Sequence, residues 1–176
     1  KNKKLYITQK SVFAILLSYK NLIKSILDKQ YDHNKYILIL EDDISFHNNI
    51  ENLIFKYDDD VIYLGGNQSR WYEDVKSDYK LINNDKYITY GTYGILYKLS
   101  FLDKFYNSVL MSEWRKPLDS LLWEFIVSNN ISNKVIYPNL ILPKVEKDYY
   151  HSYHLYPILI NFKKLRIKKK IFFNKM

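Results

Sequence analysis

The sequence predicts an α/β fold, and three features carry that prediction. An amphipathic helical segment at residues 11–28 precedes a short apolar run at Tyr36–Leu40, and a second apolar run follows at 61–64. The chain between the two runs has room for one more helix. The order helix, strand, helix, strand is typical of crossover helices that join parallel strands in one sheet. The 176 residues suffice for one domain with its own hydrophobic core.

The first predicted element is the helix at residues 11–28. Its apolar residues recur at spacings of three and four, which places them along one side of a helix. These residues are Ile15, Leu16, Tyr19, Leu22, Ile23, Ile26 and Leu27. Thr8 and Ser11 are the candidate N-caps, because a hydroxyl oxygen can accept a hydrogen bond from a first-turn amide.

The two apolar runs are predicted to be strands. Tyr36–Leu40 is continuously apolar and β-branched, which is the pattern of a strand buried on both faces of a parallel sheet. The run at 61–64 has the same character and ends in Gly65 and Gly66. We expect a second helix between them, at about residues 47–57.

The second half of the chain continues the alternation of helices and strands. Its predicted elements are a loop or small hairpin at 67–90, a strand at 93–97, helices at 100–109 and 117–127, and a strand at 135–137. Ser100 is the expected cap of the first of these helices. Pro117 is expected in the first turn of the second, where a missing backbone amide costs nothing.

The formal charge of +8 is concentrated at the C-terminus. Of 27 Lys and Arg residues, seven lie in residues 162–176, which contain none of the 19 acidic residues. Residues 1–161 therefore hold 20 basic and 19 acidic residues, a charge of +1. We divide the chain into a domain at 1–161 and a basic tail at 162–176, and we expect no nucleic-acid partner. The tail, with Phe172 and Phe173, suits contact with an anionic membrane surface.

Composition excludes several other classes of protein. Cysteine is absent, so there is no disulfide, no zinc–thiolate site and no cysteine nucleophile. No run of apolar residues is long enough to span a membrane. We therefore expect a cytoplasmic or peripheral membrane protein. The abundance of Lys, Asn, Ile and Tyr, whose codons are rich in A and T, points to an AT-rich genome, cellular or viral.

An acidic cluster directly follows the first predicted strand, at Glu41, Asp42 and Asp43. Ligands of α/β sheets bind beyond the carboxyl ends of strands. Adjacent carboxylates repel each other unless a cation compensates them, and hard oxygen ligands suit Mg²⁺ or Mn²⁺. Glu41 and Asp43 are the better pair for one metal, since an extended backbone would point both the same way. The alternatives are a solvated acidic turn, or Asp43 as the cap of the next helix.

The four glycines of the chain are Gly65, Gly66, Gly91 and Gly94, all within a short window. In a chain so poor in glycine, this placement indicates a backbone constraint. At Gly65 and Gly66 the reason is either close approach of a ligand to the main chain or a tight turn. The candidate substrate-binding residues are Gly65, Gly66, Gly91 and the aromatic Trp71.

Three further groups have side chains capable of catalysis or metal binding. Asp119, near the start of its predicted helix, is either a capping group or a general base. The acids at 58–60 precede a strand, at the end of the sheet away from ligands, and are expected to form a solvated loop. His151 and His154 have a spacing that permits one metal site, but surface or core histidines are the simpler interpretation.

In their order along the chain, several segments resemble glycosyltransferase family 25. This family includes bacterial lipooligosaccharide galactosyltransferases and collagen galactosyltransferases, with related domains in giant viruses. The matching segments are Ser-Val-Phe-Ala-Ile-Leu-Leu-Ser-Tyr at 11–19, Leu-Glu-Asp-Asp-Ile at 40–44, Asp-Val-Ile-Tyr-Leu-Gly at 60–65, Gly-Thr-Tyr-Gly-Ile-Leu-Tyr at 91–97 and Pro-Leu-Asp at 117–119. Together they cover roughly residues 9–140.

The resemblance implies a GT-A type fold, a Rossmann-like sheet with flanking helices, here expected without its first strand–helix unit. It implies an inverting transfer of a hexose from a UDP-sugar to a saccharide or a hydroxylated protein side chain. Glu41, Asp42 and Asp43 would hold Mn²⁺ or Mg²⁺, and Asp119 would act as base or contact the acceptor. The alternative is a catalytically inactive remnant, or a module that binds a sugar nucleotide or carbohydrate.

Overall fold

The structure, a computed structural model, describes residues 2–46, 58–68, 80–83, 89–112, 116–137 and 139–143. Its elements in chain order are α1 (Asn2–Leu27), β1 (Tyr36–Leu40), β2 (Ile44–Phe46), β3 (Val61–Gln68), β4 (Lys80–Asn83), β5 (Thr89–Lys98), α2 (Leu99–Phe105), a π-helical turn (Tyr106–Leu110), α3 (Leu118–Ser128), β6 (Asn133–Tyr137) and β7 (Ile141–Pro143). The predicted helix at 47–57, Trp71, the histidine pair and the basic tail lie outside the described residues.

The described chain mixes helices with a five-stranded sheet in the order β1-β5-β3-β6-β4. The prediction of α/β structure with flanking helices is confirmed, but the expectation of a parallel sheet is wrong. Only β3 and β6 pair in parallel; the β1–β5, β3–β5 and β4–β6 pairs are antiparallel. The reason is β5, a ten-residue strand that lies between β1 and β3 and runs opposite to both. β1 and β3 therefore run in the same direction without touching.

The helices cover one face of this sheet. α1, α2 and α3 bury their apolar sides against residues of β1, β3, β5 and β6 in one hydrophobic cluster. Stacked aromatic rings continue the cluster from the end of β5 into α2, with ring centroids 5.8 Å apart for Tyr97–Phe101 and 5.9 Å apart for Phe101–Phe105. Phe125 of α3 packs against the last two rings. This side of the sheet is the larger core.

A two-stranded ribbon of β2 and β7 covers part of the opposite face. It buries a second, smaller cluster that includes Ile62, Leu64 and Ile141. The ribbon approaches the sheet closely, since a Cβ added at Gly65 would lie 2.0 Å from the Ile141 carbonyl oxygen. Gly94, the partner of Gly65 in the β3–β5 register, faces the Ile141 side chain. These two glycines are therefore required for close packing of the ribbon.

The prediction for α1 is confirmed in type and periodicity but not at its start. Leu16, Tyr19 and Ile23 are buried. Ile15 and Leu22 are exposed, although their spacing placed them with the apolar side. The helix begins at Asn2, so the proposed caps Thr8 and Ser11 are interior residues. The apolar periodicity begins later than the helix does, which is why it could not predict the N-terminus.

The prediction that β1 is buried on both faces is wrong. β1 is an edge strand of the sheet; Ile39 faces the helices, while Leu38 and Leu40 are 41% and 40% exposed. The β2–β7 ribbon packs on β3 and β5, so these two leucines lie beyond it. An apolar run shows that a strand can be buried, whereas its place in the sheet decides how much of it is covered.

The later elements largely follow the predictions. α3 and β6 are confirmed, but Pro117 is the N-cap residue directly before α3 and does not lie in its first turn as expected. Ser100 lies inside α2 rather than capping it, because α2 starts directly from the end of β5. Within the helices that the structure describes, none combines the length and apolar character needed to cross a lipid bilayer.

The acids before β3 connect this strand to β6. Asp59 forms an ion pair with Lys134 at 3.0 Å, and the Ser132 hydroxyl donates to Asp60 at 3.0 Å. Backbone bonds from Asp60 and Val61 to Ser132 complete the connection. These acids lie at the start of β3 as predicted, but Asp59 and Asp60 are held by bonds rather than fully solvated.

Candidate functional site

The predicted site residues meet at one edge of the sheet. β1 and β3 run in the same direction on either side of β5, so their carboxyl ends lie at the same edge. In the register, Leu40 is opposite Gly94, and Gly94 is opposite Gly65. The acids that follow β1 are thus placed on the same side of the sheet as the glycines of β3. We call this region the carboxylate edge, defined by residues 41–43, 91–93 and Asp119.

Glu41 is held at the carboxylate edge by two bonds to β5. Its backbone amide donates to the Tyr93 carbonyl oxygen at 3.1 Å. Its carboxylate accepts a hydrogen bond from the Thr92 hydroxyl, which belongs to a residue only 5% exposed. These two bonds fix both the main chain and the side chain of Glu41.

Asp42 and Asp43 differ from Glu41 in being exposed. The chain leaves the strand after Leu40 and turns at these two residues before β2 begins. The spacing rule that paired Glu41 with Asp43 assumed an extended backbone, so its premise is wrong here. Among the described residues, no three of His, Asp and Glu lie grouped as metal ligands.

Asp119 lies in the first turn of α3 and reaches across to β5. One carboxylate oxygen accepts from the Ser120 amide at 2.8 Å, and the other accepts from the Gly91 amide at 3.2 Å. The bond to Ser120 satisfies a first-turn amide, which is what a capping group does. The bond to Gly91 fixes the half-buried carboxylate beside the residues that hold Glu41. The two bonds together occupy one lone pair on each carboxylate oxygen of Asp119 and leave others for a proton.

Gly91 must be a glycine for two reasons. Its φ of 80° lies in the left-handed region, which residues with a Cβ rarely adopt. A Cβ at this position would also lie 2.6 Å from the ring of Tyr93. The residue thus places its amide toward Asp119 while leaving room for the tyrosine ring beneath it.

Residues 91–93 connect the two predicted acids, Glu41 and Asp119. Gly91 bonds Asp119, Thr92 bonds the Glu41 side chain, and Tyr93 bonds the Glu41 main chain. The sequence predictions missed Thr92 and Tyr93 as site residues. Their signal was their place between Gly91 and Gly94 at the start of the strand predicted for 93–97, but only the β1–β5 pairing shows what they face.

The carboxylates also act on the Tyr93 phenol. Burial, followed by the negative charges of Glu41, Asp119 and Asp43, raises the pKa of Tyr93 above its ordinary value. An anionic phenolate is disfavoured near other anions. Three of the predicted acids therefore share one electrostatic environment, although they come from two distant parts of the chain.

Three buried tyrosines lie beneath the carboxylate edge. Burial raises the pKa of Tyr19 to about 12, while neighbouring hydrogen-bonding groups of Thr92 and Tyr97 oppose the increase. Burial also raises the pKa values of Tyr63 and Tyr97. The Tyr19 hydroxyl is buried and makes no hydrogen bond of good geometry in the described structure. The polar side chains that interact with it are those of Thr92 and Tyr97.

Gly65 and Gly66 lie within β3, which continues to Gln68, so the tight-turn interpretation is wrong. Gly65 packs against Ile141. Both backbone polar groups of Gly66 bond to the buried side chain of Asn139, at 3.4 Å for its amide and 2.8 Å for its carbonyl. Asn139 is a second residue that the sequence predictions missed. A ligand-binding role for these glycines stays a prediction.

The donor set of the carboxylate edge suits a hard cation. It consists of carboxylates, two of them exposed at Asp42 and Asp43 and one held in place at Glu41. Mg²⁺ commonly takes one or two protein carboxylates and completes its shell with waters and substrate phosphates. A cation bound at the carboxylate edge therefore does not need a complete set of protein ligands.

The chain matches no family model and no curated protein.

Proposed function

We propose that the chain is a metal-dependent glycosyltransferase that moves a hexose from a UDP-sugar to a saccharide or a hydroxylated protein acceptor. The observation that carries this proposal is the bridge at residues 91–93, which bonds Glu41 on one side and Asp119 on the other. The resemblance of the sequence to glycosyltransferase family 25 assigns roles to these same acids. The mixed sheet is compatible with the GT-A type fold that the resemblance implies.

In this proposal Asp119 is the general base. The acceptor hydroxyl oxygen forms a bond to the anomeric carbon, the bond from that carbon to the UDP oxygen breaks, and Asp119 takes the hydroxyl proton. The configuration at the anomeric carbon inverts. The amides of Gly91 and Ser120 keep the carboxylate in one orientation, so little motion is needed when the proton transfers.

Glu41, Asp42 and Asp43 are the residues that would hold Mn²⁺ or Mg²⁺. A bound cation would stabilise the negative charge that develops on the leaving diphosphate. The chain's own contribution is to hold Glu41 by its two bonds to β5, and to present two exposed carboxylates at the turn.

A second candidate function is a module that binds a sugar nucleotide or carbohydrate without catalysis. It is favoured by the bonds that already occupy Asp119 and Glu41, because carboxylates held by amides and a hydroxyl also serve purely structural roles. Both functions use the carboxylate edge, and turnover distinguishes them.

The test measures UDP release from UDP-galactose and UDP-glucose by the full chain with Mn²⁺. We expect Asp119→Asn to lower turnover about 100-fold or more, as for loss of a general base. Asp43→Ala should weaken the Mn²⁺ dependence. Asp28→Asn, at an exposed carboxylate just beyond α1 that forms an ion pair with exposed Lys24, is the matched control. UDP binding without turnover would favour the binding module. The absence of both UDP binding and turnover would exclude both functions.

A further inference from the structure

β1 is an unprotected edge of the five-stranded sheet. One side of the strand pairs with β5, and no strand pairs with its outer side among the residues that the structure describes. The run at 36–40 contains no charged residue, proline or glycine. Proteins usually protect an exposed edge with such residues or cover it, because its backbone is a template for another strand. β1 therefore has the character of a strand that pairs with a further strand.

The backbone of β1 alternates between bonding β5 and facing outward. The Glu41 amide donates to the Tyr93 carbonyl oxygen at 3.1 Å, and the Lys35 carbonyl oxygen accepts from the Leu99 amide at 2.9 Å. In an antiparallel pair, residues bonded to the partner strand alternate with residues whose backbone groups point away from it. Leu38 lies an odd number of positions from both bonded residues, so its amide and carbonyl point outward. Its side chain is also 41% exposed.

The sequence around Leu38 is complementary to itself in the antiparallel direction. When two copies of β1 pair about Leu38, this residue faces its own copy, and Leu40 lies opposite Tyr36. Lys35 then lies opposite Glu41, once at each end of the pair. Opposite charges directly across two strands stabilise their pairing. Both the apolar centre and the charged ends therefore match a second copy of this chain.

We propose that the chain forms a symmetric dimer in which β1 pairs antiparallel with β1 of a second copy, centred on Leu38. A two-fold interface places the same surface on both subunits, which is what a self-complementary strand provides. The two five-stranded sheets join into one continuous sheet. Lys35 of each copy lies beside Glu41 of the other, so each copy contributes a cation to the carboxylate edge of its partner. This inference does not depend on the proposed function.

A single cysteine tests the centre of the pairing. Cα atoms of opposite, bonded residues in an antiparallel pair lie about 5.5 Å apart, within the range of a disulfide. The chain has no cysteine, so Leu38→Cys supplies its only thiol. We expect oxidised glutathione to convert most of this variant into a covalent dimer, measured on a non-reducing gel.

Leu40→Cys is the matched control for this cross-link. It replaces a leucine of the same strand that is 40% exposed. In the proposed register the two copies of residue 40 lie about 13 Å apart along the strands, too far for a disulfide. Leu40→Cys should therefore cross-link little. Equal cross-linking of Leu38→Cys and Leu40→Cys would overturn the register, and no cross-linking of Leu38→Cys would overturn the dimer.

The association itself is measured by sedimentation equilibrium of the full chain. We expect a mass that rises with concentration to twice that of one chain. Leu38→Lys should raise the dissociation constant of the dimer at least about 10-fold, because two like charges meet at its centre. Leu22→Lys, at a leucine of α1 that is 42% exposed, should leave the constant unchanged.

A charge swap tests the direction of the pairing. Lys35→Glu and Glu41→Lys should each weaken the dimer about 10-fold, because each places two like-charged pairs across the strands. An equimolar mixture of the two variants should associate again, since every mixed dimer has two pairs of opposite charge. Circular dichroism checks that each variant is folded, and the cysteine result does not depend on either.

A wild-type chain that stays monomeric at every concentration would overturn the inference and leave the proposed function unaffected. A dimer that Leu38→Lys does not weaken would also overturn it, because the contact would then lie elsewhere. Loss of UDP release in a chain that still dimerises would count against the proposed function alone.

Discussion

Single residues at the carboxylate edge are distinguished by what they bond rather than by their type. Glu41 and Asp119 could be chosen from the sequence because carboxylates are chemically conspicuous. Thr92 and Asn139 could not, since threonine and asparagine are common everywhere and only their partners make them important. Thr92 bonds a carboxylate 51 positions away, and Asn139 bonds a glycine 73 positions away.

Gly91→Ala tests the backbone at this edge. We expect the free energy of unfolding to fall by about 1–3 kcal/mol, because a residue with a Cβ must adopt a positive φ and contact the Tyr93 ring. Urea denaturation measures the change. Ser128→Ala, at the exposed end of α3, is the control and should cost little. If both variants have the same stability, Gly91 does not adopt this conformation in solution.

The buried Tyr19 predicts a loss of stability at alkaline pH. Its pKa is raised by burial to about 12 in the folded protein, from an ordinary value of 10.0. As the pH rises, the unfolded chain therefore releases this proton at a lower pH than the folded protein does. The contribution of Tyr19 to the free energy of unfolding is complete below pH 10 and is lost as the pH rises toward 12. The free energy of unfolding should fall by about 1.4 kcal/mol per pH unit for such a group within this window. Urea denaturation at several pH values measures this fall. In Tyr19→Phe we expect the free energy of unfolding to decrease less per pH unit.

At the scale of elements, β5 organises the fold. It pairs with both β1 and β3, leads directly into α2, and presents residues 91–93 to the two acids. A strand at 93–97 was predictable from its apolar residues. Its position between β1 and β3 was not, because the sequence order of strands does not specify their order in a sheet. That position changes the sheet from parallel to mixed and makes β1 an edge.

The helix α1 offers a matched pair of variants that test its orientation. Ile23 is 0% exposed and Leu22 is 42% exposed, although the spacing pattern included both. We expect Ile23→Ala to lower the free energy of unfolding by about 2–5 kcal/mol, since it leaves a cavity in the core. Leu22→Ala should cost less than about 1 kcal/mol. Equal losses, measured by thermal or urea unfolding, would mean that the helix presents a different side to the sheet.

At the scale of the whole molecule, the distribution of charge is known from the sequence alone. Residues 1–161 carry a charge of +1, and the surplus belongs to residues 162–176, which lie outside the described residues. This asymmetry separates the proposed chemistry from the proposed membrane contact. Either can fail without affecting the other.

We expect the full chain to bind vesicles that contain phosphatidylserine and not vesicles of phosphatidylcholine alone. Each Lys or Arg near an anionic surface contributes about 1 kcal/mol, so the seven of the tail suffice for attachment at low salt. Deleting residues 162–176 should abolish sedimentation with the vesicles while leaving UDP release unchanged. Vesicle binding that persists after the deletion would show that the tail is not the contact.

The sequence by itself determined the mixture of helices and strands, the type of most described elements, and the identity of the acids, because periodicity and side-chain chemistry are local properties. The tertiary structure decided which strands are neighbours, that β1 is an edge, and that Glu41 and Asp119 share one site. It also decided that Gly65 and Gly94 serve close packing of the β2–β7 ribbon. These facts depend on contacts between residues far apart in the chain, and no local pattern encodes which distant segments will pair.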